Sequence, residues 1–392
     1  MTDPGLLDRV RRRLAADGTD VSPARIAAAV RAECGGRPVE GGLAVLTRLQ
    51  DDLLGAGPLA PLLRDPRVTD VLVNAADEVW VDRGAGLQPA GVTFADDAEV
   101  RALVGRLLLP SGRRLDAASP WVDARLPDGT RLHAVLPPIS TRGTCVSLRT
   151  LSRQRFTLDQ LTAGGSVSPA VAATLAAAVT ARLAVLVSGG TGTGKTTMLA
   201  CLLGLVDPID RVVVVEDAAE LRPACAHLVT LEARPPNVDG AGEVTLRDLV
   251  RQAMRMRPDR LVVGEVRGAE VVEMLAALNT GHEGGMSTVH ANAAADVPAR
   301  LEALAATAGL DRAALHSQLA AALDLVVHLR RGADGVRRVS ELAVVVRRDD
   351  GRVAVTPALT TTTDGDRAGP GWARLRERLT HRGVDLPAVL PS

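Results

Sequence analysis

A chain of 392 residues has room for two to three domains at ~150 residues each, enough to bury a full core without disulfides or a structural metal, which excludes a small secreted scaffold. Hydrophobic residues at 46% and charged residues at 23% exclude wholesale disorder and fibrous repeats. With 46 basic against 46 acidic residues, and only two Phe, three Trp and no Tyr, there is neither a chain-wide positive field nor an aromatic platform for bases, so direct nucleic-acid binding is not expected.

Lysine occurs once, at Lys195, while arginine fills the other basic positions. A compact ammonium kept at one place marks a requirement that a planar guanidinium does not meet. Cys34, Cys145, Cys201 and Cys225 form no C-x-x-C pair and read as small buried hydrophobes of a reducing cytoplasm. The amino terminus lacks the apolar core of a secretory signal. The most apolar window, Ala170 to Val187, is broken by Thr180 and Arg182 into a helix plus a strand, so no bilayer span is expected.

Residues 1–54 read as a helical segment, with Leu6, Leu7, Val10 and Leu14 on one stripe. Residues 55–150 read as a small α+β domain: short strands at Val71 to Val73 and Val79 to Val81, a helix from Ala98 to Leu109, and strands near Val122 and Leu132 to Leu136. Pro127-Asp128-Gly129 forms the turn between the last two strands. Residues 151–168 are expected to be a connector with a hinge at Gly164-Gly165. Over 169–350, helices alternate with the all-apolar runs Leu183 to Val187, Val212 to Val215 and Leu261 to Val263, the pattern of parallel strands buried on both faces in an α/β domain. The remainder, 351–392, is expected to be a tail: a flexible linker over Thr360 to Gly371, then a helix presenting Trp372, Leu375 and Leu379.

The strand Leu183 to Val187 runs into Ser188-Gly189-Gly190-Thr191-Gly192-Thr193-Gly194-Lys195-Thr196-Thr197 and then an apolar helix. This is G-x-x-x-x-G-K-T in strand–loop–helix context. The loop amides of Gly190 to Thr197 and the helix N-terminus cradle phosphates, Lys195 reaches the β and γ phosphates, and the Thr196 hydroxyl ligates Mg²⁺. Glu216-Asp217 and Glu265 end neighbouring strands, where acids point into the phosphate crevice; one can hold Mg²⁺ and another can activate water, or they cap the next helices. His282 and His290 flank a short strand; either can sense γ-phosphate or serve as a structural histidine.

Together these segments resemble the type II/IV secretion-system ATPase family. The phosphate loop, Val215-Glu216-Asp217, Leu231-Glu232-Ala233-Arg234 with Thr245 to Leu249, the run Arg255 to Gly268, and Gly281 to Asn292 match its Walker A, Asp box, Walker B and His box in chain order. Leu126 to Arg131 and Val71 to Asn74 are similar to the tight-adherence pilus (CpaF-like) branch, and the likeness covers roughly residues 45–345. The resemblance implies a RecA-like P-loop motor domain preceded by an α+β domain, a homohexamer on the cytoplasmic face of the inner membrane, an inner-membrane platform protein as partner, and ATP with Mg²⁺ as cofactors. By position it implies Glu216 as the water-activating acid, Glu265 as the Walker B acid near Mg²⁺, His282 and His290 as the His-box pair, and Arg131 and Arg149 as arginines that approach the phosphates. A conjugative type IV secretion ATPase moving protein or DNA, a regulatory scaffold with negligible turnover, and a helicase are the alternatives.

Overall fold

The computed structural model describes residues 4–16, 22–33, 42–84, 86–150, 155–236, 240–332, 334–362 and 364–386. Its chain divides into two units, Met1–Gln154 and Arg155–Ser392. Cys34 and residues 151–154 of the expected connector lie outside the described residues.

The first unit begins with α1 (Pro4–Ala16), α2 (Pro23–Glu33) and α3 (Gly42–Leu54). Leu6, Val10 and Leu14 recur every four residues, so they share one face, which packs on Ile26, Val30 and Leu49. After the short α4 (Ala60–Arg64) come β1 (Asp70–Ala75), β2 (Glu78–Asp82), β3 (Leu87–Pro89), α5 (Asp97–Leu108), β4 (Trp121–Arg125), β5 (Arg131–Val135) and β6 (Cys145–Arg149). The strands form one antiparallel sheet in the order β3-β2-β1-β6-β5-β4. Alternating burial along β1, β2 and β5 gives the sheet one apolar face, and α5 covers it with Val100, Leu103 and Val104. Asp96 starts α5 by accepting from the Glu99 amide.

The second unit contains α6 (Leu158–Ala163), α7 (Pro169–Thr180), β7 (Val185–Gly189), α8 (Lys195–Leu203), β8 (Val212–Glu216), β9 (Leu228–Glu232), α9 (Leu246–Ala253), β10 (Arg260–Val266), α10 (Glu270–Leu278), β11 (Met286–His290), α11 (Val297–Thr307), α12 (Arg312–Ala322), β12 (Leu325–Arg331), β13 (Arg337–Arg347), β14 (Val353–Thr362), β15 (Gly365–Ala368) and α13 (Trp372–His381). Nine strands lie in the order β15-β14-β13-β12-β7-β11-β10-β8-β9, parallel from β12 to β9 and antiparallel from β13 outward. The apolar runs are continuous because both faces are buried. Val185 and Val187 of β7 and Val212 and Val214 of β8 join a core with α7, α8 and α13, whereas Leu186, Val213 and Val215 join another with α9 to α12.

Two sequence expectations are corrected by this architecture. Thr360 to Gly371 is no flexible linker: its polar residues finish β14 and form β15, a hairpin that extends the sheet, and Leu375 and Leu379 of α13 are fully buried against the sheet. Residues 155–168 are no free connector either. Thr157 and Gln160 cap α6 reciprocally, Leu158 and Val167 are core residues, and Ser166 O accepts from the Val339 amide, which places the expected Gly164-Gly165 hinge within the second unit.

Candidate nucleotide site

Register brings four strand ends together. Gly189 of β7 pairs with His290 of β11, and Val263 of β10 pairs with Val215 of β8, so the phosphate loop, His290, Glu265 and Glu216 emerge at one edge of the sheet. Gly194 opens α8 with φ +94°, a left-handed conformation that glycine adopts without steric cost. The loop is braced internally, since the Thr193 hydroxyl donates to Gly190 O at 2.9 Å. Thr191 and Gly192 are exposed at its crest, and Thr196 and Thr197 are half-buried on the first turn of α8.

Lys195 is buried, and its Nζ donates to Gly190 O at 2.9 Å while lying 3.3–3.4 Å from both ring nitrogens of His290. His290 Nε2 is 2.7 Å from Glu265 Oε1, and Arg267 pairs with Glu265 Oε2. Burial pulls the Lys195 ammonium below its ordinary pKa, partly opposed by Glu265. Burial and the neighbouring Lys195 hold His290 below its ordinary value, favouring the neutral imidazole. The result is a chain of cation, imidazole, carboxylate and cation at the mouth of the loop.

Glu216 is 4% exposed, and its Oε1 accepts from the amides of Leu221 and Glu220 at 3.0 and 3.1 Å. Its Oε2 is buried without a hydrogen-bond partner among the described residues. Burial pushes the carboxyl up to about 7, against the opposing pull of the two amides. Its stem crosses over Gly264, where any Cβ would sit 2.6 Å from Glu216 Cγ, so the glycine before Glu265 makes room for the other acid.

His282 does not join this cluster. It precedes β11 while His290 ends it, so the strand, at ~3.3 Å per residue, separates them, and His282 Nδ1 lies 3.1 Å from Ala277 O at the close of α10. Arg131 and Arg149 are brought together in the first unit: Arg125, Arg131 and Arg149 stand opposite one another across β4, β5 and β6, and Asp70 on β1 follows in the same row, paired with Arg149 Nε at 2.9 Å. Sequence reasoning passed over Arg267 as a site residue. Its signal was its position two residues beyond Glu265, obscured by the abundance of arginine.

The oxygen donors that suit a hard divalent cation shared with phosphates are the Thr196 hydroxyl and the Glu265 carboxylate, while the unsatisfied Oε2 of Glu216 is left open to a water.

A family model described as type II/IV secretion system protein matches residues 52–361. A putative conjugal transfer protein of Mycobacterium tuberculosis is 60% identical over 80% of this chain and 91% of its own length. A probable conjugal transfer protein TrbB of Sinorhizobium fredii is 33% identical over 79% of this chain and 93% of its own. Among solved structures, the pilus retraction motor PilT with bound ADP aligns over 76% of this chain and 80% of its own, at 18% identity and a TM-score of 0.53, a likeness of fold.

Proposed function

We infer the work of this chain from the family to which it belongs, the type II/IV secretion system proteins, whose members combine a RecA-like motor domain with a preceding N-terminal domain, and from the cluster at the phosphate loop. It is an ATP-hydrolysing motor. The observation that supports this best is the meeting of Lys195, His290 and Glu265 at the loop, with the buried, high-pKa Glu216 at the adjoining strand end.

The loop amides and Lys195 hold the polyphosphate, whose oxygens replace the Gly190 carbonyl as partner of Nζ. Glu216 Oε2, as carboxylate, accepts the proton of the attacking water as its oxygen bonds to the γ-phosphorus and the bond to the β–γ bridging oxygen breaks, leaving ADP and phosphate. Neutral His290 orients Glu265 against Lys195, and Arg267 balances the carboxylate charge. Thr196 and Glu265 would hold Mg²⁺, which would supply neutralisation of phosphate charge. Arg131 and Arg149 add cations from the first unit, and the working form is a homohexamer on the cytoplasmic face of the inner membrane, docked on a platform protein.

For cargo, the residues Leu126 to Arg131 and Val71 to Asn74 support assembly of a tight-adherence pilus. The printed names of the relatives favour a second reading, a conjugal transfer machine. Steady-state phosphate release tests the motor itself: the wild-type chain should turn over Mg²⁺-ATP, and absence of turnover would leave only a binding scaffold. Deletion in the source cell separates the cargo readings by whether surface pili or mating transfer is lost.

A further inference from the structure

The hairpin of β12 and β13 overhangs the phosphate loop. Leu329 of β12 is level with Gly189, the last residue of β7, so Arg330 and Arg331 continue past the sheet edge and turn back through Arg337 and Arg338. The register sets Arg330 opposite Arg338 and Arg331 opposite Arg337, and like charges directly opposed across a ladder repel. Two of the four have local partners: Arg338 pairs with Asp334 at 2.6 Å, and Arg331 Nε donates to Gly335 O at 3.0 Å. Arg337 is exposed, and its guanidinium makes no hydrogen bond or ion pair among the described residues. Its stem instead lies over Gly194, where a Cβ would come 3.6 Å from Arg337 Cδ.

We propose that Arg337 is a nucleotide-binding residue that grips the α/β-phosphate segment of a nucleoside di- or triphosphate. This rests on the reading of the loop as a nucleotide site. Lys195 serves the β/γ end, whereas Gly194 belongs to the glycine loop that cradles the α and β phosphates, so a cation lying on Gly194 reads the part common to ATP and ADP. The anion also relieves the repulsion built into the hairpin. Such a contact is equally strong before, during and after hydrolysis; it lowers KM and retains ADP without raising kcat.

The test is calorimetric titration of the full chain with ADP and with a non-hydrolysable ATP analogue, beside steady-state kinetics, for wild type, Arg337→Ala and Arg337→Lys. Loss of a charge-assisted contact should weaken both nucleotides in Arg337→Ala by the same factor, about tenfold or more, and raise KM with kcat unchanged; Arg337→Lys should recover part of the loss. Affinities of Arg337→Ala within twofold of wild type, or a fall in kcat at constant KM, overturn the assignment while leaving the nucleotide site intact. If wild type binds neither nucleotide, the reading of the loop falls, and the assignment with it.

Discussion

In the proposed motor, Lys195 and Glu216 would divide binding from chemistry at the level of single side chains. Lys195→Ala should abolish phosphate release while the circular-dichroism spectrum stays native, because Nζ faces the loop and not the apolar core. Lys195→Arg should fail as well, since a planar fork cannot take the place of a point ammonium between Gly190 O and His290. Turnover of either variant within twofold of wild type would exclude the assigned role. Glu216→Gln should keep ATP affinity and slow hydrolysis by ~10²-fold or more. Because the Glu216 carboxyl titrates at about 7, kcat/KM of the wild type should climb as pH rises through 7, and the residual rate of Glu216→Gln should lack that limb. Stability changes in the opposite sense. A carboxyl whose folded pKa lies above its unfolded value stabilises below the unfolded pKa and loses that contribution as pH rises to about 7. Glu216→Gln should therefore gain Tm over wild type at pH 8 and lose the advantage towards pH 4.5; a pH-independent difference in thermal melts would argue against the raised pKa.

At the scale of elements, the strands legible in the sequence were those with a plain apolar pattern, alternating in β1, β2 and β5 and continuous in β7, β8 and β10. β7, β8 and β10 are apolar on both faces and read directly, and the phosphate loop read just as directly because it follows one of them. β9, β14 and β15 lie at or towards the sheet edges, half-buried or exposed and carrying Thr, Glu or Asp, so their apolar periodicity is weak and a polar, glycine-containing stretch reads as a linker although β14 and β15 pair as a hairpin. Arg267 and Arg337 escaped for a different reason: in a chain with one lysine among its 46 basic residues, arginine carries little information until geometry singles it out. The carboxy-terminal hairpin and α13 supply one wall of the core. Leu375→Ala or Leu379→Ala should each cost about 2–5 kcal/mol in urea unfolding, as for other fully buried leucines. Arg378→Ala should add to that, because its guanidinium satisfies the carbonyls of Asp324 and Val345 at 2.6 and 2.7 Å. Truncation after residue 352 that left Tm unchanged would show the hairpin and helix to be an appendage.

For the whole molecule, the informative feature of the first unit is a row of like charges. Arg125, Arg131 and Arg149 face one another across three strands, with Asp70 paired to Arg149 and Asp82 beyond it in the same row, an arrangement of three guanidinium groups to which an added anion is complementary. A polyphosphate is such an anion, and a guanidinium brought to the transferred phosphoryl group stabilises the charge developing there. Arg149→Ala should then reduce turnover by about tenfold or more in the full chain with little change in ADP affinity. Asp70→Asn, which removes the competing carboxylate, should leave turnover at least as fast as wild type. A chain beginning at Arg155, which keeps the nine-stranded sheet and both of its cores, should bind nucleotide yet hydrolyse it slowly, and light scattering of the full chain with Mg²⁺-ATP should report a hexamer. If the chain from Arg155 turns over ATP as fast as the full protein, and Arg149→Ala is silent, the arginine row serves something other than hydrolysis even though the phosphate loop keeps its role.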